Sequence, residues 1–239
     1  MRILIAGPAK AGNVWTKCMI ANCYQLRPLD GAEIPDGAKL DDLKRWLDAG
    51  RFPDQTIFHQ HFPYSLALVT LVEAVPAHLV TVVRDPYDAF VSSYFAIQSG
   101  AGRAHAGPRR TDAILNKPLD SPEVYAYLQT GGFRQHLVRA HDYIQSGRST
   151  ILRYENLHRD PVAELTRLTE VIGPVAEERL TRSIDACSAD NMRKAGGQTA
   201  GHVRTAKVGD SRERLTEHHL AIFRELHADL IREMGYQVR

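Results

Sequence analysis

The sequence is poor in cysteine and contains no long apolar run. Its three cysteines, Cys18, Cys23 and Cys187, are odd in number and form no C-x-x-C pair. This pattern predicts reduced, buried thiols rather than a disulfide framework. No apolar stretch reaches the roughly 20 residues that a membrane helix needs. The short apolar start is broken by Pro8 and Lys10, so no signal peptide is predicted, and we expect a cytoplasmic protein.

Excess charge of either sign is also lacking. The formal net charge is +2, and the chain carries no internal repeat and no low-complexity tract. So small a net charge gives no reason to expect nucleic acid or an acidic membrane as a partner. A hydrophobic content of 44% with 24% charged residues is ordinary for a soluble globular protein.

Short apolar runs alternate with segments of helical spacing along the chain. The runs at 3–6, 56–58, 79–83 and 150–152 predict strands, each followed by a helix. This order predicts an α/β fold, a single domain over residues 1–239 with a central, mostly parallel sheet flanked by helices. In such sheets, ligands gather at the carboxyl ends of the strands.

The stretch 100–118 interrupts this alternation. It contains glycine, proline and three basic residues, Arg103, Arg109 and Arg110. We expect a flexible loop, and we interpret it as a lid over an acceptor site because loops on a rigid scaffold often supply specificity.

The first predicted strand leads into a glycine-bearing loop that opens a helix. Gly7 and Gly12 have the spacing of an NTPase phosphate loop. Asn13 and Val14, however, stand where that loop has its lysine and its Mg²⁺-binding hydroxyl. A helix N-terminus with glycines and Lys10 still suits an anion, so the loop predicts a phosphate site without a metal ligand. The alternative interpretation is an ordinary strand-to-helix turn with a solvated lysine.

The run K-A-G-N-V-W in this loop resembles the K-S-G-T-T-W loop of sulfotransferases that use 3′-phosphoadenosine 5′-phosphosulfate (PAPS). The resemblance implies that the loop binds the phosphosulfate, that Lys10 stabilises the leaving phosphate, and that Trp15 stacks on adenine. The implied cofactor-binding residues of this loop are Lys10, Ala11, Gly12, Asn13, Val14 and Trp15.

The segment that starts with Arg84 resembles the 3′-phosphate motif of the same family, with Arg84 and Ser92 eight residues apart. A guanidinium and a hydroxyl suit a dianionic phosphate. The alternative is a surface ion pair between Arg84 and Asp88. The segment H-Q-H-F-P is similar to the family's K-T-H-L-P, which implies that His61 is the general base. His59 replaces the family's lysine, and the alternatives are a partly buried structural histidine or, less favoured, a metal ligand.

Two further segments complete the resemblance. The run Y-E-N-L followed by D-P is similar to the family's Y-E-D-L/M…D-P, which implies that Tyr154 lies against adenine. Arg204, Gly209 and Asp210 resemble part of R-K-G-x-x-G-D-W. They imply a 3′-phosphate ligand at Arg204 and a backbone around Gly209 that closes over the nucleotide. The family's dimerisation pattern is not kept, so the oligomeric state stays open.

The matching segments run from Lys10 to Tyr236 and resemble a small, bacterial-like member of the cytosolic-type PAPS-dependent sulfotransferases. The resemblance implies in-line transfer of a sulfuryl group from PAPS to a hydroxyl or amine, with His61 as base and no metal. The acceptor would be a small molecule or a glycan-like metabolite, and the basic loop favours a polar or anionic one. The alternatives are a metal-dependent small-molecule kinase on a similar fold and a non-catalytic nucleotide-binding protein.

Overall fold

A computed structural model describes residues 1–29, 34, 38–100, 110–194 and 207–239, with only the backbone of Arg110. The described chain divides into two compact units. Unit 1 comprises Met1–Val83 and Asp142–Ala206, and unit 2 comprises Arg84–His141 and Lys207–Arg239. The expected α/β class with a central parallel sheet and flanking helices is confirmed. The single domain over residues 1–239 stays a prediction.

Unit 1 contains a five-stranded sheet in the order β2-β3-β1-β4-β5, in which every neighbouring pair is parallel. The pairing brings the carboxyl ends of the strands to one edge, because Ala6 lies opposite Gln60 and Val83 lies opposite Arg153. The two-residue strand β2 contains a proline and shows no strand pattern in the sequence, so it was not predicted. The strands are β1 (Arg2–Ala6), β2 (Arg27–Pro28), β3 (Thr56–Gln60), β4 (Ala77–Val83) and β5 (Thr150–Arg153).

The helices follow the predicted order along the chain. Residues 121–146 contain two helices, and Gly173 lies between two more. Among the described residues, no helix is long and apolar enough to cross a membrane. The helices are α1 (Asn13–Tyr24), α2 (Leu40–Asp48), α3 (Leu66–Ala74), α4 (Pro86–Gln98), α5 (Pro122–Gln129), α6 (Arg134–Ser146), α7 (Tyr154–Arg159), α8 (Pro161–Ile172), α9 (Glu177–Ala186), α10 (Ala189–Lys194), α11 (Ser211–Arg214) and α12 (Glu217–Glu233).

The sheet of unit 1 buries side chains on both faces, since alternate residues of a strand point to opposite sides. Ile3 and Ile5 pack in one cluster with residues of α1, α8 and α9. Leu4 and Ala6 pack in the other cluster with residues of α2 and α3. This two-sided burial explains why the strands read as continuous apolar runs in the sequence.

The predicted flexible loop is described at Gly100 and again from residue 110 onward. Residues 101–109, with Arg103 and Arg109, lie outside the described residues. Beyond them a 3₁₀ helix spans Arg110–Ile114, and the Tyr94 hydroxyl donates to the Lys117 carbonyl oxygen at 2.6 Å. The flexible acceptor lid stays a prediction.

The expectation of three reduced thiols is wrong for two of the cysteines. Cys18 of α1 and Cys187 after α9 form a disulfide, with their Cα atoms 6.0 Å apart, while Cys23 is a buried free thiol. Cysteine number and spacing could not reveal this pair, because its members are 169 residues apart and meet only when α1 packs on α9. The cytoplasmic location, which relied partly on reduced thiols, stays a prediction.

The disulfide makes stability dependent on reducing agent. A cross-link across so long a loop is expected to raise the free energy of unfolding by about 3–5 kcal/mol. Urea titrations with and without dithiothreitol should differ by that amount in wild type and agree in a Cys18→Ala/Cys187→Ala variant. Alkylation of the denatured, unreduced protein should modify Cys23 alone. Labelling of all three thiols before reduction would contradict the disulfide.

Unit 2 is built around aromatic packing. Tyr87 and Phe223 lie 4.6 Å apart between ring centroids, and Phe90 and Phe133 lie 5.2 Å apart. All four side chains are buried, and they join α4 and α12. α4 begins with an aspartate N-cap and a proline in the first turn, and both favour a helix start.

A buried histidine in unit 2 caps α12. His219 Nδ1 accepts the Thr216 backbone N–H at 3.1 Å, and Nε2 donates to the Leu119 carbonyl oxygen at 3.0 Å. Both ring nitrogens are used by the neutral form, and burial lowers the pKa of His219 below its usual 6.5.

This histidine should destabilise the fold in acid. As the pH falls below about 6.5, the unfolded chain binds a proton that the folded chain refuses, so the free energy of unfolding decreases. The His219→Asn variant keeps an acceptor for the Thr216 N–H and should show a shallower decrease between pH 7 and pH 5. Urea unfolding across this range measures the slope. A His218→Asn variant is the control because His218 is exposed, and an unchanged slope in His219→Asn would contradict the prediction.

Candidate active site

The loop between β1 and α1 has the backbone geometry of an anion site. Gly7, Lys10 and Gly12 adopt positive φ values of 152°, 59° and 106°. Gly12 is the N-cap of α1, and the first backbone N–H groups of the helix follow it. A left-handed conformation at a lysine is uncommon and indicates that the fold fixes the position of Lys10.

Neighbouring groups hold this loop closely. The Thr81 hydroxyl of β4 donates to the Ala6 carbonyl oxygen at 2.7 Å, and a Cβ at Gly7 would lie 2.9 Å from Thr81 Cγ2. The Asn13 side-chain amide donates to the Pro8 carbonyl oxygen at 2.8 Å and closes the loop across its base. Gly7 is therefore required by close packing as well as by its φ.

Two buried polar atoms at the start of α1 have no hydrogen-bond partner within the described residues. They are Asn13 Oδ1 and Thr16 Oγ1. Buried polar atoms normally have partners, and those without one often indicate a missing ligand or water. This observation fits a polar ligand at the loop. Ala11 is fully buried in the core, so it can offer a ligand only its backbone, whereas Val14 is half-buried.

His61 follows β3 and contacts the loop directly. Its Nδ1 lies 3.2 Å from the Gly7 carbonyl oxygen. A carbonyl only accepts, so Nδ1 carries the hydrogen, and in the neutral ring Nε2 holds the lone pair that can take a proton. Gln60 fixes the backbone on both sides, since its amide donates to the Ile34 carbonyl at 2.8 Å and its oxygen accepts the His61 N–H at 2.7 Å.

An aromatic group lies against the other side of the loop. Tyr154 begins α7 directly after β5, and a Cβ at Gly12 would lie 2.6 Å from its ring. The Trp15 and Tyr154 rings are 5.9 Å apart, edge to face, and His158 lies 6.1 Å from Tyr154. The two aromatic residues that the family resemblance assigns to adenine therefore lie beside one loop, and their role stays a prediction. The sequence gave no signal for α7 or for His158.

Three other predicted site residues, Arg84, Ser92 and Gly209, belong to unit 2. Arg84 is buried, and its guanidinium donates to the Lys207 carbonyl oxygen at 2.9 Å. Ser92 is half-buried on α4. The Gly209 backbone N–H donates to Asp88, so this N–H has a protein partner. Arg204 lies outside the described residues, and its predicted role stays a prediction.

Asp88 and Thr81 hold the backbone of these segments, a role that sequence reasoning missed. Asp88 accepts the backbone N–H groups of Gly209 at 2.6 Å and Ser211 at 2.9 Å, and it is fully buried. The sequence considered Asp88 only as an ion-pair partner of Arg84. Thr81 had a usable signal, because it is the one polar residue in the predicted strand 79–83.

Gly12 should tolerate alanine poorly. Its φ of 106° disfavours a side chain, and Tyr154 occupies the space that a Cβ needs. Gly50 is a matched control in the same unit, since its φ is also positive at 66° but nothing lies near its Cβ position. Gly50→Ala should lower the free energy of unfolding by about 1 kcal/mol, and Gly12→Ala by about 1–3 kcal/mol more. Urea unfolding measures both, and equal losses would contradict the packing argument.

Metal ligands were not predicted for this chain. Within the part of the chain that the structure describes, no group of three histidine, cysteine, aspartate or glutamate side chains could hold a metal ion.

Comparison with known proteins identifies the family. The chain resembles the crystal structure of mouse sulfotransferase SULT7A1 complexed with PAP, with a TM-score of 0.73 and 16% identity over 97% of this chain and 84% of that chain. It also resembles retinol dehydratase in complex with androsterone and inactive cofactor PAP, with a TM-score of 0.62 and 15% identity over 100% and 82% of the two chains. A second retinol dehydratase structure, with retinol and PAP, gives a TM-score of 0.61 at 16% identity, again over 100% and 82%. No curated protein matches the sequence.

At these identities the structural likeness shows the fold. The family model described as the sulfotransferase domain, however, matches residues 1–235, almost the whole chain. The family resemblance of the sequence motifs is thereby confirmed. The protein is an enzyme of the transferase class, and it belongs to the sulfotransferase domain family.

Proposed function

We propose that the protein transfers a sulfuryl group from PAPS to a hydroxyl or amine of a small molecule or glycan-like metabolite and releases adenosine 3′,5′-bisphosphate (PAP). The observation that carries this proposal is the hydrogen bond between His61 Nδ1 and the Gly7 carbonyl oxygen. It links a histidine whose neutral ring would accept a proton at Nε2, as a general base must, to the loop that suits the phosphosulfate.

The loop supplies the groups that a phosphosulfate needs. The N-terminus of α1 offers backbone N–H groups, and Lys10 offers a positive charge beside them. The buried oxygens of Asn13 and Thr16 can form hydrogen bonds with a bound co-substrate and its waters. We assign Lys10, Ala11, Gly12, Asn13, Val14 and Trp15 to this end of PAPS.

The other end of PAPS requires recognition of the 3′-phosphate and of adenine. We assign the 3′-phosphate to Arg84, Ser92 and Arg204, since a planar guanidinium and a hydroxyl match its oxygens. Gly209 belongs to the same region through its backbone. Tyr154, together with Trp15, offers aromatic surface for adenine.

The transfer step follows from these positions. The acceptor oxygen or nitrogen attacks sulfur, forming the new bond to sulfur while the bond from sulfur to the bridging phosphate oxygen breaks. The acceptor proton goes to His61 Nε2, and the negative charge that develops on the bridging oxygen is stabilised by Lys10 and the loop N–H groups. The electron pair leaves with PAP, so no oxidant or reductant is required.

The 3′-phosphate assignment predicts a clear ligand preference. Wild type should bind PAP without metal and much more tightly than AMP, which lacks the 3′-phosphate. Arg84→Ala should weaken PAP binding about 100-fold and leave AMP binding nearly unchanged, because a charged hydrogen-bond donor is lost. Arg84→Lys keeps the positive charge but loses the planar set of donors. Its affinity for PAP should lie between those of wild type and Arg84→Ala.

Isothermal calorimetry measures these affinities. Equal affinity of wild type for PAP and AMP would refute the assignment. Turnover of ATP with Mg²⁺ would instead favour the kinase alternative, and tight PAP binding with no turnover on any of a panel of hydroxylated and amino metabolites would favour a non-catalytic protein.

Replacing His61 and replacing Lys10 should have different effects on kcat and on nucleotide affinity. His61→Ala should lower kcat by at least ~100-fold, about 3 kcal/mol, with PAP affinity near that of wild type, because the base acts only in the transition state. Lys10→Ala should lower both kcat and nucleotide affinity, because its charge also meets the ground-state phosphosulfate.

Steady-state kinetics with PAPS and direct PAP binding separate the two effects. His78→Ala is a suitable control, since His78 lies at the opposite, amino-terminal end of β4. Near-normal kcat in His61→Ala would refute its role, and His59 would be the next residue to replace.

A further inference from the structure

We propose that Arg239 is a positioning residue for the 3′-phosphate site, holding the Arg84 segment to the segment after residue 206 and neutralising Asp85. This inference rests on the proposed function, because it needs a ligand with a 3′-phosphate. None of the sequence motifs included Arg239, and its contacts become visible only in the fold.

Four of the contacts that Arg239 makes in unit 2 join it to Asp85, Ser211 and Tyr87. Its guanidinium forms an ion pair with Asp85 at 2.9 Å and donates to Ser211 Oγ at 2.8 Å. The same group lies over the Tyr87 ring, 4.5 Å from the centroid, and the Arg239 backbone N–H donates to the Tyr87 hydroxyl oxygen at 2.9 Å. Together these contacts fix the guanidinium in one orientation.

Arg239 contacts the same two segments whose hydrogen bonds orient Arg84. Arg84 donates to the Lys207 carbonyl, and Asp88 accepts the N–H groups of Gly209 and Ser211. Arg239 bridges the same two segments through Asp85 and Ser211. Residues 84–88 and 207–211 are therefore held together by charged or charge-assisted hydrogen bonds at three points, which favours a single position for Arg84.

Asp85 is the reason that a positive charge is needed here. Its carboxylate caps α4 by accepting the N–H groups of Tyr87 and Asp88 at 3.0 Å. Only 14% of its side chain is exposed, so solvent screens its charge weakly. Adjacent to Arg84 in the chain, an unpaired carboxylate would compete for that guanidinium and repel a dianionic phosphate. Arg239 pairs with it and weakens both effects.

The test compares the 3′-phosphate preference, the ratio of the Kd for AMP to the Kd for PAP, among charge variants. Arg239→Gln should lower this ratio about 10-fold, while Arg239→Lys should retain most of it. Adding Asp85→Asn to Arg239→Gln should restore the ratio to within about 3-fold of wild type, because asparagine still caps α4 but carries no charge. Asp85→Asn alone should raise the ratio.

Arg232→Gln is the control, since Arg232 forms an exposed ion pair on α12, and thermal melting checks that each variant is folded. A wild-type ratio in folded Arg239→Gln would overturn the inference, and so would a loss that Asp85→Asn does not restore. If Arg239→Gln does not fold, a ratio in Asp85→Asn that does not rise overturns it. A wild-type protein that shows no preference for PAP would instead refute the proposed function.

Discussion

The close contact of Gly7 with both neighbours of its strand is the constraint on which the candidate site depends. β1 lies between β3 and β4. Gly7 follows β1 at a position where Thr81 leaves no space for a Cβ atom. From the other side, His61 donates to the Gly7 carbonyl. The parallel sheet thus sets both the start of the anion loop and the orientation of the histidine, so the two elements of the proposed chemistry share one rigid support.

The loop combines strain with unsatisfied polarity, and both suit a binding site. Lys10 adopts a left-handed conformation, and the buried oxygens of Asn13 and Thr16 have no partner within the described chain. Each feature lowers the stability of the unliganded protein and has a rationale if a polar ligand compensates it. The Cys18–Cys187 disulfide, by contrast, stabilises the fold. It links α1, which follows this loop, to the end of α9.

Unit 2 supports its proposed phosphate ligand by a different means, a set of charges that compensate one another. Asp85 and Asp88 are acidic groups beside a candidate anion site, a combination that opposes binding unless each is satisfied. Asp88 is satisfied by two backbone N–H groups, and Asp85 by a helix terminus and Arg239. Acidic residues next to Arg84 can therefore orient it without cancelling the positive charge that a phosphate requires.

Local patterns were enough to predict four of the five strands in the described sheet, most helices and the family, because periodicity, caps and short motifs act over a few neighbouring residues. The predicted parallel sheet likewise led us to expect ligands at the carboxyl ends of its strands, where the structure places the Lys10 loop, His61 and Tyr154. Only the tertiary structure decided which distant groups meet: the Cys18–Cys187 bond, Thr81 beneath Gly7, and Arg239 on Asp85. Such contacts depend on how helices and strands pack in three dimensions, which no short window of sequence contains.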